Sequence, residues 1–494
     1  MLPDKSGNYN IMQKAMRFPE NDLEVLKIIQ RFAKAKKVKL YLVGGVLRDL
    51  LLERQKENLD FDFCLKGSAV SFGKKLARSI KAAFVVLDKE HGACRLVKRI
   101  REQLYTFDFT DFRGKDLKSD LLKRDFTINA IAIELEKIFS DKDLIGALID
   151  PCSGSKDLEL KLIKLAYSKA FSDDPLRILR AFSFSAQLEF KIDNKALKSA
   201  KAEKELLTQV SFERIRDELF KIFSCDNSYV HLASMDKLGI LKVLFPQMQK
   251  MRGIGKGAYH HLDVWQHTLE SVRQLEILIQ ELKGDLEIQN YLNKVISGTR
   301  KRCALLKLGM FLHDIGKPAA MRKEDGKIKF HGHERIGLKM AEEIAKGFKL
   351  SNDEIKALRI MVLWHLRPGY LGDFIEPSAR AKFRYFRDTA EEALGVLLLS
   401  LADQRATLGP LTTRKARLRH EKVCFALMQE YFRKLKEEKK PRLLNGNQLM
   451  KKFKLLPSPL IGKLLGAIEE AFGIGSIASK EEAFVLARKL LTKS

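Results

Sequence analysis

The sequence predicts an α+β protein in which a small α/β head is followed by a mainly α-helical chain. Up to about residue 160, short strand-like runs are separated by turns and helical patterns. From Asp174 onward, apolar residues recur almost throughout at helical spacing. The chain of 494 residues is also long enough for three or four domains, at roughly 100–200 residues per domain.

The head begins with an amphipathic helix and continues as short strands. Apolar residues recur at helical spacing over residues 22–36, and residues 38–43 alternate between apolar and polar like a strand. A second helix is predicted over residues 46–53. The remaining predicted strands are residues 59–65, 84–87, 95–97 and 105–109.

Changes in composition divide the chain into four predicted domains, residues 20–165, 166–250, 256–410 and 411–494. Pro246 and a glycine-rich stretch at 253–257 are typical of a linker between the second and the third. Seven of the ten His residues lie between positions 260 and 365. The last domain contains a basic helical stretch, residues 414–442, which is either a solvated helix face or an RNA contact.

The charge of the chain indicates a polyanionic partner. Lys and Arg number 91 and Asp and Glu number 63, which gives a formal net charge of +28. Such a surplus favours nucleic acid or an anionic membrane surface. The longest apolar stretch, residues 394–402, is too short to span a bilayer, and Met1–Lys5 lack an apolar signal core. We therefore expect a cytoplasmic, RNA- or DNA-binding protein with no membrane association.

A glycine pair follows the first predicted strand and precedes a predicted helix. Gly44 and Gly45 would let the backbone approach an anion closely, with free N–H groups directed at phosphate. Arg48, in the first turn of the helix, would add positive charge to the same phosphates. The pattern predicts a phosphate cradle, although most glycine pairs are merely turns.

Two carboxylates follow the cradle on the next predicted strand. Asp60 and Asp62 are two residues apart, so they project from one face, while Phe61 and Phe63 pack on the other. Adjacent carboxylates repel each other unless a cation lies between them, and oxygen-only ligands favour Mg²⁺. We therefore predict a magnesium site that is completed by a nucleoside triphosphate, against the alternative of two solvent-facing acids on an edge strand.

Several spaced motifs then resemble a known family. They match the polymerase-β-like nucleotidyltransferase head of class II tRNA nucleotidyltransferases and bacterial poly(A) polymerases, which has a small mixed sheet followed by a helical neck. The matching segments are 42–49 (LVGGVLRD), 60–62 (DFD), 124–130 (RDFTINA), 173–181 (DDPLRILRA), 213–215 (ERI), 238–241 (LGIL) and 245–246 (FP).

The resemblance implies a role for each matching residue. Asp60 and Asp62 would be catalytic and hold Mg²⁺, and a base edge would be read by Asp174 and Arg177 on one face of a neck helix. A carboxylate accepts from the exocyclic amine that cytosine and adenine share, while Arg donates to a ring nitrogen or carbonyl. The other implied nucleotide-binding residues are Gly44, Gly45, Arg48, Arg124 and Arg180.

The chain departs from the family pattern at two positions. Asp173 stands where the family usually has Glu, and Ser183 stands where it usually has a third Arg. The second change removes a fixed positive charge from the neck, which bears on the strength or selectivity of nucleotide binding.

A second set of residues resembles the HD phosphohydrolases. His and Asp side chains in apolar helical sequence suit a divalent ion of unspecified identity, and residues 313–317 (HDIGK) look like the HD signature. Lys317 would neutralise a phosphate. His260, His261 and His331 have no place in the pattern and are expected to be exposed. The residues that match the HD metal ligands are His267, His313, Asp314 and Asp403, with His333 and His365 as the extra pair of two-metal members.

The combined resemblance implies addition of CMP and AMP to the 3′ end of tRNA from CTP and ATP. In family members with a fused HD domain, that domain is associated with phosphatase or 2′,3′-cyclic phosphodiesterase activity. Residues 85–97 look more like tRNA enzymes than poly(A) polymerases, and residues 446–483 resemble a C-terminal segment of HD-containing members. Three alternatives stay open: a poly(A) polymerase or an enzyme that adds only CC or only A, a phosphohydrolase with an RNA-binding head, and a non-catalytic RNA-binding protein. The oligomeric state is left open.

Overall fold

A computed structural model describes residues 17–54, 59–90, 92–140, 143–257, 261–324, 327–374, 376–437 and 441–492. It confirms the predicted α+β class. The chain forms two compact units: unit 1 runs to Ile222 and includes Met235–Leu244, and unit 2 comprises Phe223–Ser234 and the residues from Phe245 onward. The predicted division into four domains stays a prediction.

Unit 1 is built on a six-stranded sheet in the order β3-β4-β5-β2-β1-β6. Strands β2 and β5 are parallel, and the other neighbours are antiparallel. Each predicted strand is present, and the three after β2 extend beyond their predicted ends. The strands are β1 Leu40–Val43, β2 Leu59–Leu65, β3 Ala83–Asp88, β4 Ala93–Ile100, β5 Gln103–Asp111 and β6 Ala132–Glu134, with a separate parallel pair, β7 Leu162–Ile163 and β8 Lys191–Ile192.

Stacked aromatic rings form one face of the β2–β5 pair. The ring centroids of Phe63 and Phe109 are 5.0 Å apart, and those of Phe61 and Phe107 are 6.0 Å apart. Phe72 covers this face, with its centroid 5.4 Å from that of Phe109. Because side chains alternate along a strand, the residues between these Phe residues lie on the opposite face.

Helices precede, cover and follow the sheet. The predicted helix over 22–36 is α1, and the helix predicted after the glycine pair is α2. The helices in chain order are α1 Glu20–Ala35, α2 Gly45–Leu51, α3 Ala69–Ile80, α4 Leu117–Leu121, α5 Lys137–Ser140, α6 Gly154–Glu159, α7 Ala170–Asp173, α8 Leu176–Leu188, α9 Asn194–Glu203, α10 Phe212–Phe223, α11 Ser228–Lys237 and α12 Ile240–Leu244.

Unit 2 is mainly helical, with two short hairpins. These are β9 Val295–Ser297 with β10 Arg300–Lys301, and β11 Arg322–Glu324 with β12 Lys327–Lys329. The helices are α13 Val264–Glu281, α14 Leu286–Asn293, α15 Arg302–Leu312, α16 Lys317–Ala320, α17 His333–Gly347, α18 Asn352–Trp364, α19 Arg367–Gly372, α20 Ala379–Thr389, α21 Ala393–Ala406, α22 Arg414–Lys436, α23 Gly446–Phe453, α24 Pro459–Gly473 and α25 Lys480–Leu491.

The most apolar helix of unit 2 is a core helix. The first ten residues of α21 are all buried, which explains why residues 394–402 are apolar on every side. Across the described ranges, no helix combines the length and the apolar character needed to cross a membrane. The apolar run is therefore accounted for by packing.

Replacement of Phe109 by Ala should destabilise the head by about 3–5 kcal/mol, because the change leaves a cavity between the stacked ring of Phe63 and the tilted ring of Phe72. Urea unfolding followed by near-UV circular dichroism measures the change. Phe139→Ala is the matched control, since Phe139 is 38% exposed, and should cost less than about 1 kcal/mol. Equal losses in the two variants would contradict the assigned core.

Candidate active site

Three carboxylates share the polar face of the β2–β5 pair. Asp60 and Asp62 lie on β2 on either side of the buried Phe61, and the parallel register places Asp108 of β5 opposite Asp62. The sequence analysis missed Asp108. Its signal is present in the sequence, because Phe107-Asp108-Phe109 repeats the alternation of Phe61-Asp62-Phe63.

The middle carboxylate of this group is poorly hydrated. Burial raises the pKa of Asp62 to about 6; the Arg124 guanidinium opposes this rise, and Asp108 and Asp60 add to it. Arg95 of β4 forms a bidentate pair with Asp108, with both N–O distances 2.8 Å. Clustered carboxylate oxygens are the donor set that Mg²⁺ prefers, and the raised pKa of Asp62 shows that a cation is favoured beside it, so these residues fit the expected metal.

The glycine turn lies directly beside the second carboxylate. Gly44 has φ +77°, a left-handed conformation that glycine adopts without strain. A Cβ atom added to Gly44 would lie 3.4 Å from Asp62 Oδ2 and 3.3 Å from Arg124 Nη1. The space next to the Asp62 carboxylate is therefore open because Gly44 has no side chain. Helix α2 begins at the next residue, Gly45.

Arg48 is buried and bonded within the head. Its Nε and Nη2 donate to the two carboxylate oxygens of Asp49, at 2.9 and 3.0 Å, and its Nη1 donates to Asn129 Oδ1 at 2.8 Å. The guanidinium also lies 5.0 Å from the ring centroid of Phe184. The predicted contact of Arg48 with triphosphate stays a prediction.

Arg180 joins α8 to the head through a partly buried ion pair. Its Nε and Nη2 donate to Asp125 Oδ2 at 3.0 and 2.7 Å. Burial alone would raise the pKa of Asp125, but Arg180, Asn129 and a backbone N–H lower it to about 2. Arg124, the preceding residue, donates from Nε to the buried Asp120 at 3.3 Å. These pairs fix two guanidinium groups close to the carboxylates of β2.

The prediction that Asp174 and Arg177 share one face of a helix is wrong. Asp174 has an extended backbone, with φ −148° and ψ 97°, and α8 begins only at Leu176. The cause is Pro175, because proline disfavours the helical conformation of the residue before it. Asp174 accepts from Arg214 Nη2 at 3.0 and 3.2 Å, and Arg177 Nη1 donates to the Tyr167 hydroxyl at 3.0 Å.

Ser183, which replaces the usual third Arg, is buried in a small polar cluster. Its hydroxyl donates to Glu218, which is also buried. Glu218 Oε1 accepts from Lys221 Nζ at 2.7 Å, and Arg180 Nη1 lies 4.0 Å from the same oxygen. The short side chain is therefore accommodated by a buried hydrogen bond to Glu218, whose charge is paired with that of Lys221.

In unit 2, the six HD residues form two adjacent triads of ligand atoms. One contains His267, His313 and Asp403, and the other contains Asp314, His333 and His365. Asp314 faces both: its Oδ2 lies 3.2 Å from His313 Nε2, and its Oδ1 lies 3.3 Å from His333 Nε2. Such a carboxylate can bridge two metal ions.

Three of the histidines are oriented as metal ligands. In His313, His333 and His365, Nδ1 lies 2.7–2.9 Å from the carbonyl oxygen three residues earlier. A neutral imidazole that donates from Nδ1 presents the lone pair of Nε2, which is the form that binds metal. In the described part of the chain, the buried Nε2 of His313 has no hydrogen-bond acceptor or donor of suitable geometry. The cluster therefore fits one or two divalent ions.

Charge also favours a cation in this cluster. Burial lowers the pKa of His313, but Asp314 and Asp403 raise it to about 10, so without a metal ion Nε2 carries a proton, which a bound metal ion would displace. Lys317 Nζ lies 2.6 Å from Asp314 Oδ2. Of the histidines outside the HD pattern, His261 and His331 are exposed, as predicted, and His260 is outside the described residues.

Three family profiles match the chain in succession. They are the "Poly A polymerase head domain" at residues 40–164, the "Probable RNA and SrmB- binding site of polymerase A" at 189–251, and the "HD domain" at 264–408. Their order agrees with the resemblance found in the motifs.

Curated relatives cover most of the chain. An A-adding tRNA nucleotidyltransferase of Deinococcus radiodurans is 29% identical over 90% of this chain and 93% of its own length. A CC-adding tRNA nucleotidyltransferase of Thermus thermophilus is 27% identical, with 89% and 91% covered. A multifunctional CCA protein of Actinobacillus pleuropneumoniae is 31% identical, with 66% and 74% covered.

A solved structure agrees with the fold. The Thermotoga maritima CCA-adding enzyme complexed with tRNA has a TM-score of 0.60 and 23% identity, and 98% of each chain is covered. These findings define a nucleotidyltransferase with a head, an RNA-binding region and an HD domain. The chain belongs to the tRNA nucleotidyltransferase family that includes the CCA-adding enzymes.

Asp62→Asn should raise the midpoint of thermal unfolding of metal-free protein at about pH 7.5. The pKa of Asp62 is raised to about 6 in the folded state, so above that pH the ionised carboxylate lowers the free energy of unfolding. The uncharged amide removes this loss of stability. The gain should shrink as the pH falls to about 5, because the wild-type carboxyl then becomes protonated.

Asp60→Asn is the comparison for this experiment, since Asp60 is exposed, and its gain should be smaller. A gain for Asp62→Asn that does not change with pH would refute the assigned ionisation.

Proposed function

We propose that this protein extends the 3′ end of tRNA with CMP, AMP or both, taken from CTP and ATP. The observation that carries the proposal is the placement of Asp60 and Asp62 on one face of β2, beside the Gly44 turn and Arg124, in a member of this family. The net charge of +28 fits a tRNA substrate, because Lys and Arg side chains bind the phosphates of the RNA backbone. We also propose that the protein is cytoplasmic.

In this reaction the oxygen of the tRNA 3′-hydroxyl attacks the α-phosphorus of the nucleoside triphosphate. The bond between the α-phosphorus and the oxygen that bridges it to the β-phosphate breaks, and pyrophosphate leaves. Mg²⁺ held by Asp60 and Asp62 would lower the pKa of the attacking hydroxyl and neutralise the leaving group. Arg124, fixed by Asp120 next to Asp62, supplies a positive charge at the same place. Gly44 and Gly45 keep side chains away from the phosphates.

Selection of the base is assigned to Asp174 and Arg177. A carboxylate accepts from the amine of cytosine or adenine, and a guanidinium donates to a ring nitrogen or carbonyl. Guanine and uracil present a carbonyl where the amine is expected, so they would be rejected. Arg214 holds the Asp174 carboxylate by two contacts, which supports a fixed acceptor at this position.

Purified protein should add nucleotides to at least one of three tRNAs that end before the CCA, after the first C, and after CC. Labelled CTP and ATP are supplied separately, and product length is read on a gel. Growth of all three tRNAs identifies a full CCA-adding enzyme, whereas growth of only some identifies a CC- or A-adding enzyme. Long A tails on any RNA without use of CTP would contradict the proposal in favour of a poly(A) polymerase.

Asp60→Ala and Asp62→Ala should each lower kcat for nucleotide addition by about 10³-fold, because a ligand that stabilises transition-state charge is lost. Asp111→Ala is the matched control, since Asp111 lies on β5 and accepts from the Ala69 N–H. Addition that survives in both Asp60 and Asp62 variants would defeat the catalytic assignment.

We also propose a metal-dependent phosphohydrolase activity for unit 2. The observation that favours it is the pair of adjacent ligand triads, in which Asp314 has one oxygen near His333 of its own triad and the other near His313 of the first. Bound divalent ions would activate water and clamp a phosphate. Lys317, which contacts Asp314 at 2.6 Å and is mostly buried, provides a positive charge for the phosphate beside the ligands.

His333→Ala and His365→Ala should reduce the bound divalent metal from two ions to one per chain. Asp314→Ala should remove both, since Asp314 belongs to the second triad and its Oδ2 also lies 3.2 Å from His313 Nε2 of the first. Plasma mass spectrometry after reconstitution with Mn²⁺ measures the stoichiometry. His331→Ala is the matched control because His331 is exposed. Two ions retained without Asp314 would contradict the bridging role.

A further inference from the structure

Arg177 is held by a chain of hydrogen bonds that starts at Asp173. The Tyr167 hydroxyl donates to Asp173 Oδ2 at 2.6 Å, and Arg177 Nη1 donates to the same hydroxyl oxygen at 3.0 Å. Nη1 also donates to the carbonyl oxygen of Ala170 at 3.2 Å. Neither Tyr167 nor Ala170 belongs to the motifs that the sequence analysis assigned to nucleotide binding.

This arrangement divides the guanidinium into two edges. Arg has five N–H donors, and the two on Nη1 have acceptors here. Among the residues that the structure describes, no acceptor engages the three donors on Nε and Nη2. Those three can therefore form a two-pronged contact with a base, while Nη1 stays anchored.

The anchor is stronger than a lone hydroxyl would be. A tyrosine that donates to a carboxylate becomes a better acceptor, because hydrogen bonds in a chain polarise one another. The Arg177 guanidinium also lies 5.9 Å from the ring centroid of Tyr167. Burial and the hydrogen bond to Asp173 raise the pKa of Tyr167, so the hydroxyl keeps its proton for donation.

We propose that Tyr167 is a specificity-determining positioning residue that, together with Asp173, sets the edge of Arg177 presented to the incoming base. The inference rests on the proposed nucleotide transfer and deepens it. It also gives a role to Asp173, which departs from the Glu usual in the family: its carboxylate is the terminal acceptor of the chain.

Tyr167→Phe in the full-length protein tests the inference. Values of kcat/KM are measured for ATP and CTP and for misincorporated GTP and UTP on the tRNA that the wild type extends. Discrimination against the wrong bases should fall about tenfold, mainly through KM, since the anchor of a base-reading group is lost. Tyr105→Phe is the matched control, because the Tyr105 hydroxyl also bonds to an Asp in this unit, and it should leave discrimination unchanged.

A double-mutant cycle separates positioning from a merely structural role. If Tyr167 acts through Arg177, Tyr167→Phe should have no further effect on discrimination in an Arg177→Lys background. Where turnover is too slow to measure, discrimination is taken from the equilibrium binding of ATP and GTP to the wild type, the two single variants and the double variant. The thermal midpoint checks that each variant is folded.

Two results would overturn the inference alone: unchanged discrimination in Tyr167→Phe, or an equal loss with and without Arg177. A wild-type protein that adds no nucleotide to any of the three tRNAs would overturn the proposed transfer, and the inference with it.

Discussion

The organisation of the head depends on the electrostatic cost of crowding carboxylates on one face of a sheet. Asp62 is flanked by Asp60 on its own strand and by Asp108 on the parallel neighbour, and burial raises its pKa to about 6. Such a group is stabilised by nearby positive charge. The surroundings meet this need, since the Gly44 turn leaves room beside the carboxylate and the Arg124 guanidinium lies beside the same turn.

The same alternation of residues builds the core and the site. In Phe61-Asp62-Phe63 of β2 and Phe107-Asp108-Phe109 of β5, the aromatic rings are buried on one face of the sheet and the carboxylate between them lies on the other. The stacked rings hold the two strands in register, so the spacing of the carboxylates is set by packing on the other side of the sheet. The Asp125–Arg180 pair connects α8 to the head through two charge-assisted hydrogen bonds.

Local patterns predicted most of the fold and the ligand sets, and contacts between distant segments supplied the rest. Asp60, Asp62 and the six HD residues are recognisable from spacing and motif, and the structure brings each set together. Asp108 was missed because its place depends on the parallel pairing of β2 with β5, which is not local. The error at Asp174 had a local warning in Pro175 that was not used. The partners of Ser183 lie on another helix and have no signature in the sequence.

The two proposed metal sites belong to separate compact units, and the described residues of each lie within one unit. The central claim concerns the head: Asp60 and Asp62 hold a divalent ion around an incoming nucleotide. Crystals grown with Mn²⁺ and a non-hydrolysable CTP or ATP analogue test it through the anomalous signal of manganese. The account predicts a peak about 2–2.5 Å from oxygens of both carboxylates and of the triphosphate. A bound analogue whose triphosphate lies away from both carboxylates, with no peak between them, would contradict it.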